Sequence, residues 1–175
     1  METKFYNSTI KKRIGFDEVI EEIKSYVNEK PADRYQVTVG SDSPGIKNTF
    51  FVTAITVLRV GNGGRYFWTK TGRIFCHTLQ ERIYKEAMLS ITLTQELKSR
   101  LKETLGEEFF WPVSADGSAP PGGVNNQITV HIDVGQNGPT KDFVEGVIGM
   151  VKGHGLEPVI KPFSFCACSV ADRHT

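Results

Sequence analysis

No run in the 175-residue sequence approaches the roughly 18 apolar residues that cross a bilayer, and the start of the chain, with Glu2, Lys4, Lys11, Lys12 and Arg13, lacks the apolar stretch of a signal peptide. A membrane partner is therefore excluded, and a soluble, cytoplasmic chain is expected. Cysteine is scarce. Cys76, Cys166 and Cys168 are odd in number, and the last two are too close together for an ordinary disulfide, which excludes a secreted disulfide scaffold. With His77, His131, His154 and His174 they form no finger-like spacing, which excludes a structural zinc site. A dominant charge is also missing. Lys and Arg number 21 against 20 Asp and Glu, a net charge of +1, so the broad basic field of a non-specific nucleic-acid binder is absent and Lys11, Lys12 and Arg13 form the one basic run. There is no internal repeat or low-complexity tail, and nothing speaks for a particular oligomeric state.

What is present suits one core. With 39% hydrophobic residues, 175 residues are enough for a single domain over 1–175. Phe16, Val19, Ile20, Ile23 and Val27 recur at helical spacing, predicting an N-terminal amphipathic helix over 16–29 before Pro31. Val37 and Val39 alternate with Gln36 and Thr38 in a short strand that stops at Gly40-Ser41-Asp42-Ser43-Pro44. Two β-branched and aromatic runs, 50–60 and 65–71, are joined by Gly61-Asn62-Gly63-Gly64, a hairpin turn. From Leu79 the period becomes helical through Ile83, Ala87 and Ile91 towards Leu101. Residues 106–127, rich in Pro, Gly and Asn, predict a loop insertion, where Phe109, Phe110 and Trp111 either tuck the loop onto the core or stack on bases.

A strong strand follows over 127–134, with Thr129, His131 and Asp133 on one face. A glycine turn, a helix with Phe143, Val144, Val147, Ile148 and Val151 inward, and a strand over 156–161 complete a right-handed parallel unit. Small residues over 166–172 suit a short helix lying close on the sheet. The order predicts an α/β fold: a mixed five-stranded sheet, an antiparallel hairpin plus parallel strands, flanked by helices with an extra one at the N-terminus.

Four acids fall where such a sheet would gather them: Asp42 after the first strand, Glu81 or Glu86 on the long helix, Asp133 at the end of the fourth strand and Asp172 on the last helix. Hard cations such as Mg²⁺ and Mn²⁺ take oxygen ligands, and two ions ~3.5 to 4 Å apart activate water and stabilise a leaving oxygen in phosphodiester hydrolysis. Glu81 and Glu86 lie on opposite flanks of the helix's apolar face, and Glu86 is preferred because Ala87 and Ser90 leave room beside it. His131 shares a strand face with Asp133 and would orient a ligand or move a proton, or else be a satisfied structural histidine. His174 would assist in the same way. Ser41, Ser43, Asn137, Lys141 and Arg173 complete the candidate substrate contacts, Asn137 and Lys141 on a glycine turn leading into a helix.

Val39-Gly-Ser-Asp-Ser, Arg65-Tyr-Phe, Leu79-Gln-Glu-Arg with Lys85-Glu-Ala, His131-Ile-Asp-Val-Gly-Gln-Asn-Gly and Ser169-Val-Ala-Asp-Arg resemble, in order and spacing, the YkuK-type family of predicted RNase H-related nucleases over residues 16–175. The resemblance implies an RNase H-like fold and a metal-dependent nuclease acting on RNA, DNA or their hybrid with Mg²⁺ or Mn²⁺, two ions held by Asp42, Glu86, Asp133 and Asp172. The alternative is an RNase H-like scaffold without catalysis that binds nucleic acid or protein.

Overall fold

Apolar spacing and a backbone cap together start the first helix. In α1 (Phe16–Asn28), Val19, Ile20, Ile23, Tyr26 and Val27 form one buried stripe, and the Glu18 carboxylate accepts the Gly15 N–H at 2.9 Å. The computed structural model describes residues 3–7, 13–45, 47–110 and 126–175; Lys11, Lys12 and Trp111 lie outside them.

The central sheet has the order β1 (Tyr6–Asn7), β5 (Gly64–Lys70), β4 (Val52–Arg59), β2 (Tyr35–Asp42), β7 (Gln127–His131), β8 (Glu157–Val159). Its middle strand, β2 (Tyr35–Asp42), pairs antiparallel with β4 (Val52–Arg59) along its whole length and parallel with β7 (Gln127–His131) from Gln36 to Gly40. Beyond β4 lies β5 (Gly64–Lys70), joined to it by a hairpin whose Gly61 and Gly63 take φ of 80° and 81°. Beyond β7 lies the parallel β8 (Glu157–Val159). These are the five strands read from the sequence.

The sixth, β1 (Tyr6–Asn7), corrects the count: it pairs with Trp68 and Phe67, and Tyr6 stacks on Trp68 at 4.3 Å. Two residues show no alternation, so tertiary pairing alone reveals this strand. A separate ribbon of β3 (Lys47–Thr49) and β6 (Ile74–Cys76) was equally unannounced.

Three helices cover one face. Val37, Val39, Ile55, Val57 and Phe67 pack on α1 and on Leu97 and Leu101 of α2 (Leu79–Leu105). Val130, Ile132 and Val134 pack on Ile83, Ala87 and Ile91 of α2 and on α3 (Val144–Gly153). Phe109, in a 3₁₀ turn (Glu107–Phe110), is buried in the first of these clusters, so this aromatic serves the core.

The other face carries the end of the chain. The expected short helix is a π-helical turn (Cys166–Ala171) followed by a 3₁₀ turn (Asp172–His174). Cys166 and Ala171 pack on Val52 and Ala54. The approach is so close that a Cβ on Gly40 would lie 2.7 Å from the Ala167 backbone nitrogen, which is why small residues fill this segment. No helix among the described residues is long and apolar enough to cross a membrane.

Candidate functional site

β2 and β7 are parallel neighbours with Gly40 opposite His131, so Asp42 and Asp133, each two residues further on, leave the same end of the sheet. α2 brings Glu86 to them from one side. Asp42 is 9% exposed and Glu86 only 3%.

Their electrostatics couple the group. Burial pushes Asp42 up to about 6; the Ser43 N–H pulls it back, Asp133 and Asp172 push it further, and Arg82 opposes them. Burial likewise pushes Glu86 up to about 7, against a hydrogen bond from the Ser43 hydroxyl at 2.6 Å and the nearby Arg82, with Asp42 and Asp133 adding to the rise. Arg82 donates to the Ser43 carbonyl at 3.1 Å and its Nε stands 3.9 Å from Glu86. Asp133 faces the Lys161 ammonium at 2.9 Å, yet its Oδ1 is cut off from solvent and accepts no hydrogen bond of good geometry. Asp172 is exposed, on the 3₁₀ turn across the sheet end.

The remaining candidates separate from this group. Glu81 caps its own helix: its carboxylate accepts the His77 N–H at 2.7 Å while Thr78 accepts the Glu81 N–H at 3.1 Å. His131 is buried, and desolvation lowers it to about 4, so the ring is neutral; its Nδ1 accepts the Cys166 N–H at 3.2 Å, which puts the proton on Nε2. The ring thereby ties the C-terminal segment to β7. Ser41 faces α2, bonded to Thr53 at 2.8 Å and Ser90 at 2.9 Å. His174 stacks on Trp68 at 4.2 Å, holding the end of the chain against β5. Asn137, Lys141 and Arg173 are exposed, Asn137 on the turn after Asp133 and Lys141 at the start of a 3₁₀ turn (Lys141–Phe143). Sequence reasoning missed Arg82 and Lys161. The i,i+4 spacing of Arg82 and Glu86 was a readable signal; nothing local connects Lys161 to Asp133.

Among the described residues, no three His, Cys, Asp or Glu side chains converge closely enough to hold a metal ion as they stand. The donor chemistry nonetheless fits a hard divalent cation. All four candidate donors are carboxylates, and burial together with the neighbouring carboxylates holds Asp42 and Glu86 above the ordinary range despite Arg82.

Glu81 and Glu86 can be told apart directly. Glu81→Gln is expected to cost at most about 1 kcal/mol, as a weakened helix cap, and to leave Mn²⁺ binding unchanged. Glu86→Gln is expected to weaken that binding. Calorimetric titration of Mn²⁺ into both variants checks this, and a reversed order would make Glu81 the ligand.

Comparison with known proteins places the chain in a wider group. The model of a family described as ribonuclease H-like matches residues 18–175. An uncharacterized protein, YkuK, of Bacillus subtilis (strain 168) is 30% identical over 177 residues, covering 98% of this chain and 96% of that protein. No solved structure matches the chain.

Proposed function

Because this chain belongs to the ribonuclease H-like family, we propose that its acid cluster is the centre of a metal-dependent nuclease that hydrolyses phosphodiester bonds of RNA or DNA. One observation carries the reading: Asp42 and Glu86 are buried beside Asp133 with too little positive charge to offset them, which is the electrostatic deficit a divalent cation fills.

Asp42, Glu86, Asp133 and Asp172 would hold the metal. Bound Mg²⁺ or Mn²⁺, as one ion or a pair, would supply a water that gives up a proton readily enough to become a nucleophile, and a Lewis acid for the leaving oxygen. The protein's own groups prepare the place. Ser43 fixes the Glu86 carboxylate by its hydroxyl and presents its N–H to Asp42, so one residue orients two ligands. Arg82 braces Ser43 from below through its carbonyl. His131 and Cys166 keep the C-terminal segment, and with it Asp172, against the sheet end.

The test is incubation of the protein with labelled RNA, DNA and RNA–DNA hybrid, with Mn²⁺ and with chelator. Cleavage of at least one substrate in Mn²⁺ alone is expected. Binding without turnover under every condition would replace the nuclease by a binding module on the same scaffold.

A further inference from the structure

The acid cluster already contains a cation of the protein's own. We propose that Lys161 is a working part of the site, its ammonium filling the cation position at Asp133 in the metal-free protein and turning to the substrate's phosphate once a divalent ion is bound. This rests on the nuclease reading and adds to it a residue that contacts substrate.

The arrangement is built from three directions. First, hydrogen bonding between the two parallel strands runs past their ends: the Ile132 N–H donates to the Val159 carbonyl and the Lys161 N–H to the Val134 carbonyl, each at 2.9 Å. Lys161 is thereby fixed one step from Asp133 across the sheet. Second, the lysine stem lies across Gly135, where a Cβ would come within 3.1 Å of the Lys161 Cβ and 3.7 Å of its Cδ. A side chain at 135 would crowd this path. Third, the ammonium ends 2.9 Å from an Asp133 oxygen that is closed to solvent, with Asp42 as a further carboxylate in its field.

An ordinary surface ion pair has both partners in water and little consequence. Here the acceptor oxygen is closed off while the lysine side chain is 46% exposed, so the cation is the partner free to leave. An ammonium and a divalent ion repel each other and compete for one oxygen. Displaced, Lys161 remains a point charge on a flexible four-carbon stem beside the cluster, suited to a phosphate oxygen.

Mn²⁺ titration calorimetry and cleavage kinetics on a labelled oligonucleotide, with Lys161→Gln, Lys161→Arg and the wild type, test this. Lys161→Gln is expected to bind Mn²⁺ about tenfold more tightly, because a competing charge is gone, and to show about a tenfold higher KM for the oligonucleotide. Lys161→Arg is expected to restore the KM. Mn²⁺ affinity that stays equal or weakens in Lys161→Gln, or a KM that does not move, overturns the proposal. Failure of the nuclease reading looks different: none of the three proteins cuts, while the calorimetry still reports whether Lys161 competes at Asp133.

Discussion

Asp42→Asn is expected to reduce Mn²⁺-dependent cleavage on the order of 10³-fold or more while making the metal-free protein more stable at pH 8. The two effects share one cause. In the folded chain Asp42 is held at about 6 against an ordinary 3.8, so between those values the native state binds more protons than the unfolded chain. For a carboxylate raised in this way, its favourable contribution is complete below about pH 4 and is lost as pH rises through about 6. Glu86, at about 7 against 4.5, extends the loss to neutrality. At pH 8 the fold therefore carries two buried charges it would be more stable without, and an amide at position 42 relieves one of them by about 1–3 kcal/mol.

Urea unfolding at pH 4.5, 6 and 8 checks this. The wild type should lose stability across the series, Asp42→Asn should lose less, and Mn²⁺ should raise the melting temperature of the wild type but not of the variant. His131, held at about 4, works the other way and makes the loss smaller than the two carboxylates alone would give; a variant weaker than wild type at pH 8 would show that the Asp42 carboxylate is compensated. Asp133→Asn should match Asp42→Asn in lost cleavage. No comparable gain in stability is expected, because the change removes the partner of Lys161.

Asp42 and Asp133 could be picked out from the sequence because both stand at the ends of runs with clear two-residue alternation, and the helix between β7 and β8 made those strands parallel. The preference for Glu86 over Glu81 rested on Ala87 and Ser90. The structure adds that Glu81 belongs to the motif Thr78-x-x-Glu81, a helix cap visible in the sequence alone. What could not be read was set by long-range contacts. β1 exists because Tyr6 meets Trp68. His174 has its place because it stacks on the same ring, 106 positions away in the chain. The small residues over 166–172 announced a close approach to the sheet. Where the segment meets the sheet, at Gly40 and His131, was not readable from these residues.

That reception point makes Gly40 the position where a single methyl group should do most harm. The Cβ of Gly40→Ala would stand 2.7 Å from the Ala167 nitrogen, 3.0 Å from the His131 carbonyl oxygen and 3.1 Å from the Ala167 Cα, all backbone atoms. A flexible side chain would swing aside, but these atoms move only if the C-terminal segment lifts away or the β2–β7 ladder opens. Overpacking of this kind costs about 1–3 kcal/mol, a fall of roughly 2–12 °C in melting temperature for a chain of this size. The functional effect should exceed the thermal one. Lifting the segment breaks the Cys166–His131 hydrogen bond and carries Asp172 off the sheet end, so Mn²⁺ affinity should fall even at temperatures where the variant is fully folded. Gly45→Ala is the matched control, since a Cβ there meets nothing within 4 Å. If Gly40→Ala melts with Gly45→Ala and binds Mn²⁺ as the wild type does, the C-terminal segment does not depend on contact with β2, and Asp172 would have to be held by the His174–Trp68 stack alone.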